Sequence, residues 1–421
     1  MLPTVDAFRR SQIAIAALFC FLGFHYATWA SRLPAIKARL DLSASELGVL
    51  LLACGAGAAM SFPLVAVLMQ RLGSRRLAFL SALVLGAILL ALGAVSSYPL
   101  ALAIMCADGI ACACLNAAMN GQGAALEVRS GRKTLAKLHA MFSGGALCAA
   151  LCSSGMTLMT ASLLVHFTVA IVVLALLMGV ARTGLLAEDL PSPSQDGGRL
   201  GLPSRVTIWL GGALAFGTVT EGSMTDWSAL YMTEIAGASA EIAPMGIAVV
   251  SVMMVLARLF ADGWRTRWGD RRIVLAGGVL AGSGLAGALL LGGVAPALIG
   301  FGCVGLGMAA VTPSIYAAAA KHGPGALTIV AAMGVTGLLA GPPAIGFVSD
   351  ATSLVWGMGV VAASALLVSL CATQIRWSLG AGPGADADAD ARPASPVSLD
   401  ASERATPSLP VRPSPFTGQE L

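Results

Sequence analysis

Apolar runs of about 20 residues, separated by short and mostly basic loops, recur along the whole chain. A helix of that length crosses roughly 30 Å of hydrocarbon. In lipid every backbone polar group needs a partner inside the protein, so only helices and closed barrels can span. Barrel strands are short and alternate in polarity; these runs are long and do not alternate. An all-α, multi-pass membrane protein is the expected fold class. Only 11% of the 421 residues are charged, against about 25% in a soluble domain. The 50 glycines suit helices whose backbones approach closely in lipid.

Twelve spans are expected, near residues 11–31, 47–69, 77–95, 100–126, 140–159, 162–180, 206–232, 245–261, 273–291, 295–320, 327–348 and 354–373. They fall into an N-terminal six-helix half (1–181) and a C-terminal half (206–377). Between them runs a Pro/Ser/Gly-rich linker, 182–205, containing LPSPSQDGG. A low-complexity tail, 378–421, is expected to be disordered. With both termini in the cytoplasm, 21 of the 25 Lys and Arg residues lie on the cytoplasmic side. That asymmetry sets orientation. It also explains the net charge of +4 without a nucleic-acid surface. Arg9 and Arg10 precede an apolar run without a small-residue cleavage motif, so no cleaved signal peptide is expected.

The two halves echo one another. ARLFADGWRTRWGDRR (257–272) has an earlier version in PLVAVLMQRLGSRRL (63–77). An offset of 196 pairs Arg71 with Arg267, Gly73 with Gly269, Arg75 with Arg271 and Arg76 with Arg272. Trp29-Ala30-Ser31 is likewise echoed by Trp227-Ser228-Ala229. Parallel repeats of six spans form a transporter architecture, with solute bound near mid-membrane between the halves.

These hairpins resemble the signature loop of the major facilitator superfamily. LNAAMNGQGAALE (115–127), KLHAMFSGGA (137–146), SRLPAI (31–36), TDWSALYM (225–232) and GPPAIGFVSDATSL (341–354) resemble its bacterial inner-membrane branch related to fucose:proton symporters. The resemblance covers about residues 11–375 and implies secondary transport through a twelve-helix fold. In that branch, span 4 carries a carboxylate where this chain has Asn116, and span 1 carries one where it has Ala30.

Ionisable residues inside a span cost roughly 2.5–3.5 kcal/mol on insertion scales, so those present are candidates for function. Span 4 carries Asp108, Cys112, Asn116 and Asn120 at i, i+4 steps, a polar stripe. It reads as a cavity wall with Asn116 and Asn120 at the solute and Asp108 a protonation site, or as interhelical hydrogen bonding. Span 1 places His25, Trp29 and Arg32 on one face. Trp29 can stack on a solute or sit in an aromatic belt, and Arg32 can draw an anion to the outer mouth or snorkel. Span 7 offers Glu221, Asp226 and Trp227, with Glu221 the leading proton carrier. Ser143 and His139 open span 5 as cavity lining or gate. His166 reads as a packed histidine. Asp262, paired with Arg258 or with a hairpin arginine, reads as a gate latch together with Arg71, Arg75, Arg267 and Arg271. Pro342-Pro343 marks a kink in span 11. The nine cysteines lie almost wholly in apolar runs without metal-ligand spacing, so neither metal nor cofactor is expected.

The expected function is secondary active transport of a small, sugar-like solute across the inner membrane by alternating access, coupled to protons, by a monomer in the lipid bilayer. No nucleotide-binding motif supports ATP-driven transport. The alternatives are an efflux carrier for drugs or metabolites, or a non-transporting receptor or enzyme on the same fold. Four scattered histidines without a nucleophile–base cluster argue against an enzyme.

Overall fold

The computed structural model describes residues 5–132, 134–187, 204–375 and 377. The N-terminal half holds α1 (Val5–Ala30), α2 (Leu33–Leu40), α3 (Ala44–Met60), α4 (Phe62–Ala94), α5 (Tyr98–Ser130), α6 (Leu135–Met159) and α7 (Leu163–Arg182). The C-terminal half holds α8 (Arg205–Glu234), α9 (Met245–Trp268), α10 (Asp270–Leu291), α11 (Val294–Met308), α12 (Val311–Ala320), α13 (Pro324–Ala351) and α14 (Leu354–Gln374). No strand occurs among the described residues.

Twelve crossings result. Nine helices among the described residues are long and apolar enough to span on those criteria alone. The α2–α3 pair, bent by 118°, adds another. The 30-residue α8 is long enough, but Glu221 and Asp226 interrupt its apolar surface. In α9 only Met245–Ala261 is apolar. Most of the expected linker (188–203) and the whole expected tail lie outside the described residues.

Both basic hairpins break at one glycine. Gly73 has φ 73°, ψ 161° inside α4, and Gly269 has φ 80°, ψ 151° between α9 and α10. Side chains are strained in that region, so glycine makes the reversal without a longer loop. The residue after each break is anchored to the same neighbouring span. Gln122 Nε2 of α5 donates to Ser74 Oγ at 2.6 Å, and Ser314 Oγ of α12 donates to Asp270 Oδ1 at 3.0 Å. The repeat read from sequence thus recurs in backbone angle and tertiary contact.

Three sequence expectations need correction. The segment 262–268 is not loop, because α9 continues through it to Trp268, and Arg258 lies inside that helix rather than at its end. Span 2 does not run unbroken from Leu47, because α3 ends at Met60 and the chain resumes as α4. The segment 33–40, expected as loop, forms α2. Ser43 then starts α3 through a capping box with Glu46.

Close helix pairs set the positions of the polar residues. A Cβ on Gly109 of α5 would run into the Cys54 carbonyl of α3, and one on Gly57 would run into the Cys106 carbonyl. Bare backbone at both positions draws α3 and α5 together. Across the halves, α3 packs on α13 and α6 on α9. At Gly48 the backbone of Pro342 and Pro343 comes within 3.1 Å of where a Cβ would stand. α13 runs through both prolines as one helix.

Candidate functional site

The polar residues form three groupings, two that join the halves and one within the N-terminal half. In the first, Arg258 of α9 donates through Nη2 to Glu221 Oε1 of α8 at 3.0 Å and through Nη1 to Ser143 Oγ of α6 at 2.8 Å. The Glu221 and Arg258 side chains are 32% and 21% exposed. An ion pair within one half therefore reaches across to the other and stays partly exposed. On α5, Asn116 is exposed, and Asn120 Nδ2 donates to its side-chain oxygen at 2.8 Å. Exposed His139 packs edge-on to Phe19 at 4.9 Å between ring centres.

Within the N-terminal half, His25 of α1 and Asp108 of α5 are fully buried, with His25 Nε2 at 2.7 Å from Asp108 Oδ1. The Cys112 and Cys54 thiols donate to Asp108 Oδ2 at 3.6 and 3.7 Å. Between the halves, the Tyr26 hydroxyl of α1 donates to Asp226 Oδ1 of α8 at 2.6 Å. Trp29 packs edge-on to Tyr26 at 4.8 Å. Trp29 and Trp227 are both buried, each with an indole N–H that lacks a partner.

The side away from the hairpins is sealed. Lys37 Nζ donates to Glu234 Oε1 at 2.5 Å and Ser45 Oγ to Asp350 Oδ2 at 2.9 Å. Ser154 Oγ donates to the Glu241 carbonyl oxygen. Each of these contacts joins one half to the other. Toward the hairpin side, Asn116 and His139 are exposed.

The expected site residues thus divide. Glu221, Arg258 and Ser143 meet in one cluster, with Asn116 and Asn120 on the neighbouring stripe. His25 and Asp108 meet each other, and Asp226 meets Tyr26, which sequence reasoning missed. A tyrosine one residue from a singled-out histidine carried no periodic signal. Trp29, Trp227, His25 and Asp108 are buried. Arg258 instead meets Glu221 and Ser143 among the described residues. The Asp262 side chain lies outside the described residues. Within the hairpin, Arg265 Nε donates to Asp270 Oδ1 at 2.6 Å, a pairing absent from the sequence reading. Arg71, Arg75, Arg267 and Arg271 are exposed.

Arg32 is not at an open mouth. It is buried and donates to Thr157 Oγ1 at 2.6 Å and to the Ala161 carbonyl at 2.9 Å, tying the end of α1 to α6. Burial lowers its pKa from the ordinary arginine value. His166 is buried beside Phe167. A cavity of about 1130 Å³ lies away from this chemistry, on the flank of the N-terminal half between α4 and α7. Of the expected site residues only Arg75 lines it.

Residues 13–325 match the family model described as Major Facilitator Superfamily. The chain is 31% identical to an uncharacterised MFS-type transporter of Yersinia pestis, over 86% of this chain and 95% of that protein. It is 29% identical to the membrane protein MosC of Rhizobium meliloti, over 81% of this chain and 84% of that one. The fold is similar to that of the nucleoside transporter NupG, with TM-score 0.67 and 13% identity over 88% of this chain and 99% of that one. It is similar also to that of the E. coli fucose:proton symporter, with TM-score 0.60 and 17% identity over 89% and 99%.

Proposed function

Because this chain belongs to the major facilitator superfamily, and is a multi-pass membrane transporter rather than an enzyme, we propose that it moves a small polar solute of sugar-like chemistry by proton-coupled alternating access. The observation that carries this reading is the Glu221–Arg258–Ser143 cluster, an ion pair of one half tied to the other. Charges inside a span are costly unless paired or facing a cavity, and this one is paired. Asn116, Asn120 and Ser143 supply neutral donors and acceptors of the kind that bind hydroxyls.

The coupling follows from the pairing. While Glu221 is ionised it holds Arg258, and Arg258 holds Ser143 of the opposite half. A proton on Glu221 removes the attraction and frees the guanidinium. That loosens the mid-depth tie between the halves and biases their rocking. Opening the sealed side requires Tyr26–Asp226, Lys37–Glu234 and Ser45–Asp350 to part. The basic hairpins orient their own side toward the cytoplasm by the positive-inside rule, in keeping with the inner membrane and cytoplasmic termini. The similarity to nucleoside and fucose carriers supports a polar solute over an amphiphilic one.

A thermal-shift screen against sugars, sugar acids and nucleosides finds the solute, because binding stabilises the folded state by mass action. In proteoliposomes, Glu221→Gln is expected to abolish uptake driven by a pH gradient while sparing counterflow of that solute. Gradient-driven uptake unchanged in the variant removes Glu221 from the coupling.

A further inference from the structure

Behind the polar cluster, three helices gather donor atoms that the transport reading leaves unused. We propose that His25, Asp108 and Cys112 bind a divalent transition metal of the zinc type. One donor atom from each of His25, Asp108 and Cys112 lies within 4.8 Å of the others. The Cys112 and Cys54 sulfurs stand 3.6 and 3.7 Å from Asp108 Oδ2. With Zn–O near 2.0 Å and Zn–S near 2.3 Å in a tetrahedron, neighbouring ligand atoms sit about 3.3–3.5 Å apart. The Cys112 sulfur is therefore already close to ligand spacing. The His25–Asp108 contact, 2.7 Å, has to widen by about half an ångström to reach it.

The surroundings support a ligand. His25 and Asp108 are fully buried, and His25 Nδ1 has no hydrogen-bond partner. The imidazole is held through Nε2 alone and can turn onto an ion. Mixed nitrogen, oxygen and sulfur donors select zinc-like ions over magnesium or calcium, which take oxygen. A carboxylate and one thiolate cancel the ion's two charges, and a neutral centre is what a low-dielectric interior tolerates. The thiol proton leaves to solvent as the metal binds.

The fold assembles these donors deliberately close. Asp108 and Cys112 are one turn apart on α5, and Gly109 lets α3 approach until Cys54 reaches Asp108. The polar stripe continues one turn further to exposed Asn116. A bound metal would pin α1 and α5 of the N-terminal half together.

Cobalt(II) titrated into the purified full-length protein in detergent tests this without any transport assay, because thiolate ligation gives an intense near-ultraviolet charge-transfer band. The expected result is one Co²⁺ per chain with that band, displaced by Zn²⁺. Cys112→Ser abolishes the band, and Asp108→Asn weakens binding at least tenfold. Cys148→Ser with Cys152→Ser, both exposed, leaves it unchanged. Elution volume and thermal unfolding of the metal-free variants separate loss of the site from loss of the fold, and Cys112→Ala serves if the serine variant misfolds. Absence of the band in the parent protein overturns the proposal. So does its survival without the Cys112 thiol, or its loss in the Cys148/Cys152 variant.

Discussion

Arg258 carries its charge at a depth where a bilayer is least hospitable to one. Its acceptors, Glu221 and Ser143, lie on two other helices, 37 and 115 residues away in sequence. The cost of an unpaired charge in a span made Arg258 and Glu221 stand out as residues, but not as partners. The i, i+4 rule pointed Arg258 toward Asp262 instead. Separation along one helix is legible in a sequence, whereas pairing between helices depends on how the helices turn. The ion pair is partly exposed, 21% and 32%, so its worth is well below that of a sealed pair. Arg258→Ala is expected to lower thermal stability, and adding Glu221→Gln to restore part of the loss. A double-mutant cycle should give a coupling of about 1 kcal/mol. Strictly additive losses would place the two side chains in separate environments. Tyr26→Phe leaves the buried Asp226 carboxylate one donor short and should cost about 1–3 kcal/mol in unfolding measurements. No loss there would mean that water or another donor replaces the hydroxyl.

At the scale of helices, apolar run length was enough to find the spans, because lipid demands it. Their ends were harder to read. The basic segment 262–268 lacks the apolar residues that mark a span, yet it stays helical to Trp268, since a helix need not stop where the hydrocarbon does. The glycine that ends it was visible as a repeat. Its role is set by the backbone: Gly269→Ala, at φ 80°, should cost about 1–3 kcal/mol through strain. Gly109→Ala should cost a similar amount by overpacking α3 against α5. Gly263→Ala is the control, because that glycine is helical with open space around it. It should be neutral or gain up to about 1 kcal/mol from helix propensity. Equal effects at 109 and 263 in thermal unfolding would deny the close α3–α5 approach its role in stability.

Over the whole molecule, two six-helix halves are tied together on the side away from the hairpins. The duplication was legible from two hairpins and a tryptophan pair. The closed side was not, because its contacts join residues up to 305 positions apart, as in Ser45 with Asp350. That contact offers the most direct test of alternating access. Ser45→Cys with Asp350→Cys, oxidised in proteoliposomes, ties the halves together on the sealed side. Counterflow of the solute found by thermal shift should fall to the protein-free level, recover on reduction, and stay unaffected by oxidation in either single variant. Full counterflow with the crosslink complete would contradict movement of solute through a cleft that opens by parting these halves.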